Sequence, residues 1–517
     1  MNSSSFRISI VCALLTVCSC SGENNVASTA DAGVEPAAVT AWLIEGATLY
    51  HGDGGPGVLG DLRIVDGMIT EIGDLTPVDE ETVWQAQGLA LAPGFIDPHS
   101  HHVDDLSPNM ASESVLAQGI TTVVGGADGF SNRPVVETFA DFEAAPAAFN
   151  IALYGGHNTY RTTVMGEDYK RGARPEEIQR MRALLAADLE AGALGLSTGL
   201  EYEPGLYAET AEIVVLAKDT AAKGGRYSSH IRSEDIALFA AVDEFIEIAR
   251  QAGIPAHYSH MKVAMSGSWG RSREILERLD AARENEGVQI TGDVYPYNGW
   301  QSTMQVLLPE RDIHDRAAYE FALSEIANPE DIIFSRYSPE PSVVGKTLAD
   351  VAVEQDRDPV DILMEMVQRA VAENGRELII GRNIGEEDIR NFISWPHASI
   401  TSDGGVDDRH PRGQGAFPRA IRLYVREFGL VSLGEMIHKM TGHTADLLGL
   451  TDRGRLDVGL AADIVLFDPE TITDNGSFNN PVVYSTGIEA VWVNGELVWH
   501  DNAPTEARSG RALRRSD

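Results

Sequence analysis

Three histidines stand within four residues in the stretch PGFIDPHSHH (Pro93–His102), directly behind a short apolar run. Side chains at i and i+2 of a strand share a face, so an extended chain here lets His99 and His101 converge on one ion and turns His102 away. Neutral imidazoles suit zinc and related divalent ions. Three more candidates sit where other apolar runs end: His230 closes RYSSH, His260 closes PAHYSH and Asp403 closes ASITSD. A divalent ion held by such a set lowers the pKa of a water and polarises a carbonyl. Asp403 beside that water can take its proton and deliver it to a leaving nitrogen. The expected chemistry is amide hydrolysis.

Residues so far apart in sequence meet only if their elements share one end of a fold. Eight short β-rich runs recur along the chain: GFIDPH (94–99), ITTVV (120–124), FNIALY (149–154), LGLST (194–198), RYSSH (226–230), PAHYSH (255–260), VQITGDVY (288–295) and ASITSD (398–403). Several lead into helical stretches with apolar residues at helical spacing and a terminal glycine, such as RPEEIQRMRALLAADLEAG and SEDIALFAAVDEFIEIARQAG. Eight strands alternating with helices predict an α/β fold, a (β/α)8 TIM barrel over 93–445, with chemistry at the C-terminal ends of the strands. The long gap before the eighth run predicts an insertion at about 305–390. Segments 43–92 and 446–510 alternate apolar and polar residues between glycine turns and predict one small β-sandwich built from both chain ends.

Composition limits the partners. The 517 residues carry 78 acidic against 40 basic side chains, a formal net charge of −38, which repels nucleic-acid phosphates and anionic lipid. All three cysteines, Cys12, Cys18 and Cys20, lie in the first twenty residues, so the rest of the chain forms neither a disulfide nor a thiolate metal site. Residues 1–20 read as a signal peptide: one positive charge, then an apolar run too short to span a bilayer. VCSC before Ser21 resembles the lipobox of bacterial lipoproteins. That resemblance implies lipidation of Cys20, a periplasmic location anchored to the outer membrane, and a flexible tether over 21–42; plain export is the alternative, since Cys18 is unusual inside such a box.

From about 43 to 500 the chain resembles the amidohydrolase superfamily, and more closely its D-aminoacylase (N-acyl-D-amino-acid deacylase) family. The stretches that carry the likeness include APGFIDPHSHH, GALGLSTGLEYEPGLYAETAEIVVLAK, YSSHIRSED, YSHMKV, DVYPY, HPRGQGAFPR and DRGRLDVGLAADIVLFDP. The resemblance implies His99 and His101 at one metal position, His230 and His260 at a tighter one, and Asp403 as general acid and base. It also implies Lys262, Tyr295 and Arg412 as holders of the carboxylate of a small N-acyl amino acid substrate, which suits the donors of those side chains. The family usually shows NCG after the second strand, with the cysteine as ligand; here GADGFS puts Asp128 in that place. A hard oxygen ligand able to bridge leaves Zn2+, Mn2+ or Co2+ open, in one or two ions. The fourth run, LSTGLE, lacks the lysine that other amidohydrolases carbamylate to bridge two metals. The implied reaction is hydrolysis of N-acyl-D-amino acids, with dipeptides containing a D-residue, or cyclic amides, as the alternative substrates.

Overall fold

The computed structural model describes residues 41–104, 113–131, 134–406 and 409–515. The expected leader, Cys20 and nearly all of the tether lie outside the described residues. The last two tether positions, Ala41 and Trp42, instead open the first strand. No helix among the described residues is long and apolar enough to cross a membrane.

All eight β-rich runs form strands of a parallel barrel: Phe95–Asp97, Ile120–Gly125, Asn150–Leu153, Gly195–Gly199, Arg226–His230, Ala256–Tyr258, Ile290–Val294 and Ala398–Ile400. Neighbours in this order pair in parallel, and the two-residue strand Gly155–Gly156 carries the third strand on to the fourth. The first and eighth strands are joined through a side chain. Buried Asp97 accepts from Thr401 Oγ1 at 2.7 Å, Ser402 N at 3.0 Å and Ser402 Oγ at 2.5 Å. These strands are covered on both faces, so the polar side chains they carry, such as Thr198, Ser228 and Ser229, are buried and hydrogen-bonded to neighbouring strands.

The helices cover the barrel with one face each. In Leu238–Ala252, for example, Leu238, Ala241, Val242, Phe245, Ile248 and Ala249 are buried, and Gly253 ends the helix in the left-handed conformation at φ 62°.

The expected insertion is present with shifted borders. It begins at Trp300, whose strand Trp300–Ser302 pairs with Glu377–Gly381, itself paired with Ile332–Tyr337 in a three-stranded antiparallel sheet. The helix Glu386–Ser394, which falls partly within the expected 305–390, belongs to the barrel wall instead. Asp388 accepts from Ser272 N at 3.0 Å and Asn391 donates to Ser272 Oγ at 3.0 Å, fixing it against the helix Ser272–Glu286.

Strands from both chain ends join in one continuous nine-stranded sheet running from Ala503–Pro504 through Ile464–Phe467 and Ala90–Pro93 to Met68–Gly73. It folds over its own core, where the Trp492 ring meets Trp42 at 5.8 Å and Trp84 at 5.4 Å. Buried Asp463 ties this sheet to the third barrel strand, accepting from Asn150 Nδ2 at 2.8 Å and from Asn494 N at 2.7 Å, with Arg453 as its charge partner. Beyond 510 the chain returns to the barrel, where Ile151 N donates to Arg511 O at 3.0 Å.

Candidate active site

Every residue expected to do chemistry lies at one mouth of the barrel, at the strand ends or in the segments that follow them. His230 is the last residue of its strand. The first strand, however, stops at Asp97, so His99 and His101 do not converge through strand alternation. A turn brings them together: Ser100 N donates to Val124 O at 3.0 Å, His101 N to Gly404 O at 2.8 Å, and Asp403 N to His99 O at 3.1 Å. His102 faces away, with Nδ1 2.9 Å from Ser100 Oγ, and burial pushes its pKa down to about 4.

Three of these residues sit at positive φ: Asp128 at 51°, His260 at 39° and Asp403 at 47°. This region is sparsely populated by residues other than glycine and persists only where neighbours hold it. His260 N is held by Asp293 Oδ1 at 2.5 Å. Behind Asp128, Gly199 allows the backbones to touch, since a Cβ there would lie 2.1 Å from Asp128 O.

The donor atoms fall into three groups, of which two share Asp128: His99, His101, Asp128 and Asp403 in one, and Asp128, His230 and His260 in another; the third is Glu201, His230 and Glu234. Asp128 Oδ1 lies 3.4 Å from His99 Nε2, 3.3 Å from His260 Nε2 and 3.9 Å from His230 Nδ1; its Oδ2 lies 3.5 Å from His101 Nε2. Asp403 Oδ1 is 3.4 Å from His101 Nε2 and 3.7 Å from His99 Nε2. Ligands about 2.0 Å from a tetrahedral ion stand roughly 3.3 Å from one another, so these spacings fit a shared divalent cation.

The outer partners fit as well. His101 Nδ1 meets Asp104 at 2.9 Å, His230 Nε2 meets Glu201 at 2.9 Å and His260 Nδ1 meets Glu234 at 3.1 Å. For His101 and His230 the carboxylate favours a proton on the outer nitrogen and leaves the inner one, facing Asp128, as a lone-pair donor, whereas His260 Nδ1 also lies 2.8 Å from Lys262 Nζ. Both ring nitrogens of buried His99 lack a hydrogen-bond partner among the described residues.

Electrostatics point the same way. Burial opposes ionisation of Asp128, yet the surrounding histidines hold its carboxyl well below the usual range. Burial likewise opposes a charge on His101, but hydrogen bonds to Asp104, Asp128 and Asp403 lift it well above its ordinary value. The cluster therefore calls for positive charge between its carboxylates, which a divalent cation supplies.

Beside this centre stand the three residues expected to hold a carboxylate. Arg412 Nη1 donates to Asp403 Oδ2 at 2.5 Å, and Lys262 Nζ donates to both Glu234 oxygens at 2.7 and 2.8 Å. Both cations lie against the Tyr295 ring, Lys262 Nζ at 5.6 Å and Arg412 Cζ at 4.8 Å. The buried Tyr295 hydroxyl has no partner among the described residues, so it is left for a ligand. All open onto one cavity of about 500 Å³, walled on its far side by the inserted segment.

Sequence reasoning missed Asp104, Glu201 and Glu234. Glu201 could have been found, because it follows the fourth strand at the position inspected only for a lysine.

A parallel barrel with imidazoles and carboxylates gathered at its C-terminal mouth defines a metal-dependent hydrolase. Residues 315–499 match the model of the amidohydrolase family. A D-aminoacylase of Alcaligenes xylosoxydans xylosoxydans is 35% identical over 502 residues, covering 92% of this chain and 97% of that protein. An N-acyl-D-glutamate deacylase of the same organism is 36% identical over 501 residues, covering 92% and 96%. Among solved structures, the N-acyl-D-glutamate deacylase of Bordetella bronchiseptica, complexed with zinc and a phosphonate mimic of the tetrahedral intermediate, superposes with a TM-score of 0.82 at 33% identity, covering 92% of this chain and 99% of that one. The chain belongs to the D-aminoacylase family of the metal-dependent amidohydrolases.

Proposed function

We propose that the protein hydrolyses the amide bond of N-acyl-D-amino acids, releasing a carboxylate and a free D-amino acid. One observation carries this reading: the Asp403 carboxyl faces the imidazole cluster on one side and, through Arg412, the donors of Lys262, Tyr295 and Arg412 on the other. That set fixes one end of a substrate whose scissile amide lies a short way from its carboxylate, as in an acylated amino acid.

His99, His101, Asp128, His230 and His260 would hold the divalent ion, with Asp403 at its edge. When bound, the ion supplies Lewis acidity, which activates water and polarises the acyl carbonyl. Burial opposes the charge on Asp403, but Arg412 and His260 outweigh it and keep the carboxyl ionised. Asp403 is thus ready to accept the proton of the attacking water and to return it to the departing amine nitrogen. Arg412 positions that carboxylate while presenting further N–H donors toward the substrate. Zinc is the preferred ion given the four imidazoles, and Asp128 in place of a thiolate also admits manganese or cobalt and a pair of ions.

The reading extends to location. A signal peptide ending in VCSC supports export, lipidation at Cys20 and a tether that leaves the barrel in the periplasm at the outer membrane.

The test is hydrolysis of matched N-acetyl-D- and N-acetyl-L-methionine by enzyme stripped of metal and then titrated with zinc or manganese. Metal-dependent turnover of the D-form alone is the expected result. Turnover of neither, with metal bound, would transfer the assignment to dipeptides or cyclic amides.

A further inference from the structure

The relatives differ in the side chain that their names specify, and the cavity here bears on that choice. Among the described residues, its lining lysine and arginine side chains are Lys262, Arg412 and Arg311. Lys262 is bound by both oxygens of Glu234, and Arg412 by Asp403. Arg311 also lines the cavity, but its guanidinium is turned into the protein. Its Nη1 donates to the carbonyls of Gln305, Val306 and Leu308 at 2.8, 2.8 and 2.7 Å, and its Nη2 to Glu201 O at 2.8 Å.

Acids outnumber these cations on the same walls. Asp104, Glu201, Glu203, Glu234 and Asp235 line the cavity in addition to Asp128 and Asp403. The inserted segment and its approach add neutral lining: Trp300, Val306, Leu307, Ile326 and Leu378, together with Ser302 and Thr303. One carboxylate finds donors at Lys262, Tyr295 and Arg412. A second one, on the side chain or on the acyl arm, would be desolvated against apolar groups and beside acids, with no described lysine or arginine available to it.

We infer that this site takes N-acyl-D-amino acids bearing a single carboxylate, with a neutral, largely apolar side chain, and rejects N-acyl-D-glutamate and N-acyl-D-aspartate. The inference rests on the deacylase reading and narrows its substrate class. The inserted segment is then the specificity wall: it supplies the apolar surface, and Arg311 fastens its loop to the backbone of Glu201.

The test compares kcat/KM of the metal-loaded enzyme for N-acetyl-D-methionine, N-acetyl-D-leucine, N-acetyl-D-glutamate and N-acetyl-D-aspartate. The neutral substrates are expected to exceed the acidic ones by on the order of 100-fold, the scale at which an unmatched polar group is rejected from a fitted site. In Leu378→Lys, a cation added to the half-buried wall should narrow that ratio at least tenfold. Equal or faster turnover of the acidic pair by the unaltered enzyme overturns the inference and leaves the deacylase reading standing. Failure to hydrolyse any of the four overturns both. If Leu378→Lys does not fold, the ratio in the unaltered enzyme still decides.

Discussion

Glu201 Oε2 lies 2.9 Å from His230 Nε2 and turns the other imidazole nitrogen toward Asp128 and His260. Glu201 is itself buried, so its carboxylate has little water to compete for it. Partners of this kind fix the tautomer and raise the basicity of a ligating histidine, and their loss costs roughly 10–100-fold in metal affinity or activity. Glu201→Gln keeps the shape and removes the charge. It is expected to weaken metal binding about tenfold in a chelator competition, with the fold unchanged by circular dichroism. Unaltered metal affinity would remove Glu201 from the centre.

Asp403 is the group assigned to move the proton. Asp403→Asn keeps the volume and cannot accept a proton, so kcat should fall by about 10²–10⁴-fold. With Lys262, Tyr295 and Arg412 proposed to hold the substrate carboxylate, KM should change much less. Steady-state kinetics at saturating metal separate the two constants. A variant with near-normal kcat would move the proton transfer to another residue.

Asp128 is shared by two of the three donor groups, and its two oxygens face different imidazoles. Asp128→Ala should therefore lower the number of ions bound, measured by metal analysis after dialysis. Asp128→Cys should restore binding and shift selectivity, since a thiolate favours zinc over manganese. Dialysis against equimolar zinc and manganese reads that ratio directly. Wild-type stoichiometry in Asp128→Ala would show that Asp128 shapes the loop without ligating.

Much of this architecture is legible in the sequence because its signals are local. Each barrel strand is a short β-rich run, and the residues at or just beyond its end reach the mouth, so counting runs leads to His230, His260 and Asp403. What was not legible depends on contacts between distant segments. The strand Trp300–Ser302 finds its partner near residue 380, so the inserted sheet could not be bounded from its own residues. His99 and His101 were placed together for a reason that does not hold, since the chain there is a turn fixed by Gly404 and Val124 rather than a strand. Asp104, Glu201 and Glu234 looked like any of the 78 acids, because what distinguishes them is the imidazole each one faces.

Glu377 offers a test of the inserted segment through pH. Its side chain is buried at the start of the strand that flanks the cavity, where its Oε2 accepts from Met304 N at 2.7 Å. Burial raises its pKa to about 8, against the opposing pull of that N–H. A group whose folded pKa lies above its unfolded value contributes stability that is complete below the unfolded pKa. That contribution is lost as pH rises through the folded pKa, here across roughly pH 4.5 to 8. The native protein should therefore lose on the order of 2–4 kcal/mol from this site between pH 5 and pH 9. Glu377→Gln carries no charge at any pH, so its Tm should match the native protein's at pH 5 and exceed it at pH 9. Since Met304 begins the loop whose Gln305, Val306 and Leu307 line the cavity, the same charge should loosen the specificity wall. Hydrogen exchange at Met304 and Gln305 should speed up with pH beyond the intrinsic rate in the native protein and not in the variant. A Tm difference independent of pH would show that Glu377 is not protonated at neutrality.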